Sequence, residues 1–304
     1  MKRELELLYS IEIKFIIKLT EKTYKICTSR EDYLLKEHEN TSLESIFARL
    51  RILNLDIFVL PLISKEEHYI NIINDKYYSL YPYFDDEDEL AKDIRLSFFI
   101  KAIATLHKES SYPLKVNDGF FEESISYLDT KISRVKEEVL SRIERVEIEV
   151  YHSPSDWYFI MNYPLLFNAL KEADRYVTLL EEEWKNSNNI HLSLTYQNFN
   201  YEHILVKNRK IVSLDNISLA PSIYDLIDLY KNSFDLKIDL SYLIDQYLQI
   251  HPLEEYEKNW LLAFLFIPSI ERKENDLEDI ESLNKTLALI KLTEEIANKL
   301  SSNE

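Results

Sequence analysis

Glycine is almost absent: Gly119 is the only one in 304 residues. Loops that wrap backbone amides around phosphate groups are built on glycine, because a side chain blocks the close approach they need. A glycine-rich phosphate loop is therefore excluded. Cysteine is as scarce. Cys27 stands alone, so there is no disulfide framework and no cysteine-based metal site. Basic charge is in deficit, with 36 Lys and Arg against 54 Asp and Glu and a formal net charge of −18. Nucleic-acid partners need clustered cations to meet phosphates, so this balance speaks against them. The acidic surface serves solubility or steers a cationic substrate. Long apolar runs are missing too. Trp260–Ile267 is far too short to span a bilayer and reads as a buried helix. Met1–Thr20 mixes Glu and Lys into its apolar residues and lacks the core of a signal peptide. The expectation is a soluble protein made in the cytoplasm.

What is present is ample material for a core. A hydrophobic content of 46% and an aromatic content of 12% exclude a disordered chain, and the length suffices for two lobes. Period-2 alternation opens Ser10–Leu19, and Tyr24–Thr28 with Asp32–Glu37 reads as a hairpin. Leu43, Ile46, Phe47 and Leu50 form one helical stripe over Thr41–Leu53, and Thr41-Ser-Leu-Glu44 has the spacing of a capping box. Phe58–Leu62, Tyr69–Ile73 and Tyr77–Leu80 read as further strands. Tyr81–Phe84 then reads as a hinge, and the acidic run Asp85–Glu89 as the start of the next helix. Ile94–His107 is helical, with His107 a packed structural histidine. Across 117–186 the apolar residues Ile125, Leu128, Ile132, Val135, Val139, Ile143 and Val146 alternate spacings of three and four. That is the seam of one long helix. His152–Tyr163, with Pro154 and then Pro164, reads as a break, and Phe167–Trp184 as the second arm of a helical hairpin. Leu240–Ile250, Leu253–Phe266 and Leu277–Lys299 continue as helices.

The chemistry-bearing stretch is 191–230: His191-Leu-Ser-Leu-Thr-Tyr-Gln-Asn198, then His203-Ile-Leu-Val, then Ile211-Val-Ser-Leu-Asp215, then Pro221-Ser-Ile-Tyr-Asp225-Leu. It resembles the core of the aminoglycoside phosphotransferase/choline kinase-like family, His-Gly-Asp-Leu-x-x-x-Asn, a strand, Ile-Asp, and Pro-x-x-Tyr-Asp-Leu. Tyr33-Leu-Leu-Lys36 resembles that family's strand with its phosphate-binding lysine, and Ala104-Thr-Leu-His107 its Leu-His helix. Within the family the chain looks closest to the spore coat kinase-like proteins of endospore-forming Bacillus relatives. Ser153-Pro-Ser-Asp-Trp157, the Leu194–Phe199 core and Trp260–Pro268 carry that likeness.

The resemblance implies an α+β, two-lobed protein-kinase-like fold, with a small β-rich N-lobe (1–84) and a large helical C-lobe (85–304). The catalytic loop would span 191–215, and the helical hairpin would be an insertion. It implies Lys36 and Glu44 as the nucleotide-anchoring pair and Asp215 as a metal ligand. The second ligand is Asn198 if the loop is read without a gap, or His203 if it carries an insertion. His191 braces the loop. Several positions depart from the family, and one metal-ligand position is among them if it is His203. Ser193 stands at the catalytic base, where a hydroxyl cannot take up a proton near neutral pH. Thr20-Glu-Lys-Thr23 stands at the phosphate loop. Leu34 fills a place usually small enough to admit adenine. These departures favour a pseudokinase of the spore coat, working through protein partners and needing no cofactor. The alternative is a small-molecule phosphotransferase that uses ATP and magnesium with an altered base.

Overall fold

The computed structural model describes residues 1–84, 91–185, 189–233 and 238–302. In chain order the elements are α1 (Lys2–Tyr9), β1 (Ile13–Lys18), β2 (Thr23–Thr28), β3 (Asp32–His38), α2 (Glu44–Ile52), β4 (Asn71–Ile73) and β5 (Lys76–Pro82). Then come α3 (Lys92–Ser110), β6 (Tyr112–Lys115), α4 (Asp118–Ile148), α5 (Pro154–Lys185) and β7 (Asn189–Thr195). A 3₁₀ turn at Tyr201–His203 leads to β8 (Ile204–Leu205), β9 (Lys210–Ile211) and β10 (Ser218–Ala220). The chain ends with α6 (Ile223–Ser233), α7 (Tyr242–Leu248), α8 (Glu255–Phe266) and α9 (Asp276–Ser302). Two compact units result, one of residues 1–102 with 196–218, the other of residues 103–195 with 219–304. The stretch 191–230 is shared between them.

In the first unit, β1 to β5 form an antiparallel sheet of order β1-β2-β3-β5-β4. β3 is its middle strand. Tyr33 and Leu35 point into a core with Leu5, Ile13, Ile26, Ile73 and Leu80. Strand periodicity then sends Leu34 and Lys36 together to the opposite face, level with Tyr81 and Ser79 of β5. Helix α1 was not anticipated; its one buried residue, Leu5, plugs the sheet core. Phe58–Leu62 is not a strand. Pro61 has no N–H to give a ladder. The segment makes a bridge, in which Ile211 N–H donates to Ile57 O (2.8 Å) and Val59 N–H donates to Ile211 O (2.9 Å), and Leu62 N–H donates to Leu80 O (2.7 Å). The capping box is also absent. α2 begins at Glu44 itself, so the carboxylate stands at the first helical position rather than the third, with no side-chain cap. The expected helix start at 85–89 lies outside the described residues.

Left-handed backbone is frequent although glycine is not. Ser10, Asn54, Glu67, Asn74, Asp75, Gln197, Arg209 and Ser213 all have positive φ. Gly119 does not. It sits in the first turn of α4, where Asn117 caps the helix by accepting from Phe120 N–H at 3.0 Å.

In the second unit, α4 buries Leu128, Ile132, Val135, Val139 and Val146, the seam read from the sequence. Its partner is longer than expected. Pro154 starts α5 instead of breaking it, because proline at a first helical position forfeits no helix bond. Pro164 lies inside α5 on its exposed side, so the bond it cannot make is not missed in the core. Arg142 of α4 is buried and ion-paired with Asp279 of α9, and Arg145 Nη2 lies 3.2 Å from Asp156 of α5. α8 is buried on nearly every side, from Glu257 through Phe266, and Phe266 stacks on Tyr176 of α5 at 5.7 Å.

Candidate functional site

In the first unit, β3 aims Lys36 at the turn that follows β9. Its ammonium is ion-paired with Asp215 and lies 3.5 Å from Ser213 Oγ. Ser213 Oγ donates to Asp215 Oδ2 at 2.8 Å. Asn198 Nδ2 in turn donates to Ser213 O at 2.9 Å and meets Ser213 Oγ at 3.2 Å. Ser213, at φ 65°, therefore joins three of the sequence-selected residues, although no motif position marks it. Its signal was only that a polar side chain stands two residues before Asp215.

His203 lies on the same cluster. Tyr196 OH donates to Val212 O at 2.7 Å, which uses its single proton. At the 2.9 Å contact between Tyr196 OH and His203 Nδ1, the ring must then be the donor, and Nδ1 also faces Asn198 O at 3.2 Å. Nε2 is left as the acceptor. Burial pushes the His203 pKa below the ordinary value. Leu34, Lys36, Val59, Tyr81, His203 and Asp215 line a cavity of ≈ 210 Å³. Leu34, Lys36, Asp215 and His203 thus share one cavity, and Asn198 stands just behind it on Ser213.

Glu44 does not join them. Its two carboxylate oxygens accept from the backbone N–H groups of Tyr69 (2.9 Å) and Ile70 (2.8 Å), and Oε1 lies 3.5 Å from His68. The acid that meets Lys36 is Asp215. Glu44 instead fixes the entry to β4, because two amide donors hold a carboxylate at the first turn of α2.

A magnesium nucleotide of the family kind would find some of its contacts in the first unit and not others. Asp215 and Asn198 bring two oxygen donors, but the cavity is smaller than the roughly 300–1,000 Å³ usual for ligand pockets. In the turn between β1 and β2, the N–H groups of Leu19 and Thr20 already donate to Thr23 O, at 3.0 and 3.2 Å. Those amides would have to leave their acceptor to meet a phosphate. Among the described residues, no group of three or more His, Cys, Asp or Glu is assembled to hold a metal.

In the second unit, Ser193 is 1% exposed near the end of β7. Its hydroxyl donates to the carbonyl of His107 at 3.3 Å, and the next amide, Leu194 N–H, donates to Ser110 Oγ at 2.9 Å. Ser193, expected at the base position, thus belongs to a strap between β7 and the end of α3. His107 is fully buried; its Nε2 lies 2.9 Å from Asp225 Oδ2 and its Nδ1 2.7 Å from Tyr247 OH. Asp225 accordingly ties the start of α6 to α3. His191 is held through its backbone N–H, which donates to Tyr256 OH at 2.8 Å. Two further groups escaped the sequence reading. His251 packs edge-on against His107 and Tyr247, and burial, then the neighbouring His107, His191 and Lys108, lowers its pKa to about 4. Burial raises the Glu257 carboxyl to about 7 while it accepts from Glu254 N–H and Ser222 Oγ. Neither residue falls in a recognisable motif, so only the fold reveals them.

No protein-family model and no curated protein matches the chain. Solved structures do. An aminoglycoside phosphotransferase from Alicyclobacillus acidocaldarius is similar over 100% of this chain and 96% of its own, with 10% identity and a TM-score of 0.70. The AMP-bound spectinomycin phosphotransferase APH(9)-Ia is similar over 96% of both chains, at 13% identity and a TM-score of 0.56. A microcompartment-associated aminopropanol kinase follows at 11% identity and 0.51, over 97% of this chain and 98% of its own. Among the described residues no helix is long and apolar enough to cross a membrane. With its β-sheet N-terminal region and mostly helical C-terminal part, the chain has the aminoglycoside phosphotransferase-like kinase fold.

Proposed function

We propose that this chain is a pseudokinase of the spore coat kinase-like type, a protein that keeps the kinase frame and works by binding other proteins in the coat. The observation that carries this reading is Ser193. At the base position stands a buried hydroxyl whose proton is already given to His107 O. Phosphoryl transfer of the kinase type needs a carboxylate there to receive the acceptor's proton. The occupied amides of Leu19 and Thr20 and the small cavity beside Leu34 support the same reading, since each bears on nucleotide binding rather than on the base. The spore-coat assignment rests on the sequence likeness.

A second reading has its own observation. Lys36, Asp215 and Asn198 still meet around Ser213. The spectinomycin phosphotransferase of the same fold has been solved with ADP and spectinomycin. A small-molecule phosphotransferase with ATP, magnesium and an altered base is the alternative.

Metal-dependent ATP turnover of wild type and Ser193→Asp, measured side by side, separates the two. We expect none in either. In the variant, a carboxylate would face the His107 carbonyl with no proton to share, so its melting temperature should also fall. Turnover in the wild type would sink the pseudokinase reading. Turnover in the variant alone would show that only the base had been lost.

A further inference from the structure

A cavity of ≈ 1030 Å³ forms an open groove in the second unit along α4 and the end of α5. None of the residues discussed for phosphoryl transfer lines it. Its α4 wall runs from Asp118 to Glu137, roughly 28 Å at the helical rise. Asp118, Glu122, Asp129, Glu137 and Glu181 line it. Its two cations, Arg134 and Lys185, already lean on Glu138 (3.7 Å) and Glu181 (3.5 Å). The floor is apolar, made by Phe121, Ile125 and Trp184.

Two observations go beyond a plain acidic surface. Burial, then Asp174 and Glu181, raises the Asp129 carboxyl above its ordinary pKa, so three acids crowd one another. Trp184 is 6% exposed, packed against Phe121 and Trp260 at 4.7 and 5.0 Å, and its indole Nε1 has no hydrogen-bond partner. A buried N–H without an acceptor is unfavourable, and a ligand oxygen would relieve that.

From these features we infer that the groove binds an extended basic peptide segment of a partner protein. Apolar side chains of the segment lie on Phe121 and Ile125, Lys or Arg side chains meet the carboxylate rim, and a peptide carbonyl accepts from Trp184 Nε1. The requirement for an oxygen acceptor favours a peptide over a simple polyamine, which has donors only. A length of 28 Å takes about nine residues of extended chain. The inference does not depend on whether the chain transfers phosphate.

The test uses the full chain and a synthetic nonapeptide of alternating Lys and Leu, titrated by calorimetry at moderate salt. Asp129→Asn and Glu181→Gln should each weaken binding about 3- to 5-fold, as a single exposed ion pair does. Glu144→Gln and Glu147→Gln, on the same helix but outside the groove, should change it less than twofold. Equal losses from both pairs would mean non-specific attraction to the acidic chain and would overturn the inference. So would spermidine binding as tightly as the peptide. Independently, peptide addition should shift the Trp184 indole N–H resonance and leave that of Trp157 in place. An unmoved Trp184 signal at saturation would remove the acceptor role and with it the peptide assignment.

Discussion

The His107–Asp225 pair makes a quantitative test of how the second unit is held together. Both side chains are essentially enclosed, at 0% and 3% exposure, and the ring nitrogen and carboxylate oxygen are 2.9 Å apart. Asp225→Ala leaves a buried imidazole N–H without that acceptor, which costs about 1–3 kcal/mol. His107→Ala does more harm. It takes the ring away from a buried carboxylate and opens a cavity among α3, α6 and α7, together about 3–5 kcal/mol. Asp225→Asn keeps an acceptor oxygen in reach and should cost no more than about 1 kcal/mol. The double variant should then fall short of the sum of the single ones by roughly 1–3 kcal/mol, because the bond they share is lost only once. Urea unfolding followed by the fluorescence of Trp184 and Trp260, both buried in the same unit, gives the four values. Additive losses, or Asp225→Asn as damaging as Asp225→Ala, would refute the claim that this bond, rather than mere packing, anchors α6 to α3.

His251, neutral down to about pH 4 when folded and titrating near 6.5 when unfolded, makes the folded state lose stability as the pH falls from 6.5 towards 4. The full shift corresponds to about 3 kcal/mol, and roughly 1–2 kcal/mol after solvent screening; a pH–stability profile that His251→Asn does not flatten in that window would refute the assignment. Arg209 holds a positive φ in the turn between β8 and β9, so Arg209→Gly should relieve strain and raise stability by roughly 0.5–1 kcal/mol net of the added chain entropy. Gly119→Ala should also stabilise, by about 0.5–1 kcal/mol, since a Cβ there meets nothing closer than Asn117 Oδ1 at 3.5 Å. A lower melting temperature in either variant would contradict the backbone account.

Much of this was legible where a residue's role is local. The α4 seam could be read off Leu128, Ile132, Val135 and Val139, because burial on a helix repeats at helical spacing. Leu34 and Lys36 could be placed on one face by strand alternation alone. The misread elements were those decided by distant partners. Pro164 looked like a break, yet its missing bond falls on the exposed side of α5. Glu44 looked like a cap or a lysine partner, yet Tyr69 and Ile70, twenty-five and more residues away, claim its carboxylate. In the cluster around Asp215, Ser213 and Tyr196 were invisible for the same reason: their importance comes from the hydrogen bonds they collect, not from any spacing. Ser193 was the opposite case, since its meaning lay in what the position lacks.

The eight left-handed residues other than glycine among the described residues have a counterpart in the denatured chain. Each residue that bears a side chain where others would carry glycine restricts the unfolded ensemble and spares roughly 0.4–1 kcal/mol of entropy on folding. A chain with a single glycine therefore starts from a stiffer coil, with fewer wrong turns to sample. The cost is local distortion at Glu67, Gln197, Arg209 and Ser213, which the folded state must hold in place. Two of those four are Gln197, next to Asn198, and Ser213, two residues before Asp215, so left-handed backbone recurs in the candidate site of the first unit. In such a chain, a flexible loop is not easily gained by one substitution. Each left-handed site would need its own glycine before the backbone there became as pliable as that of a nucleotide-closing enzyme.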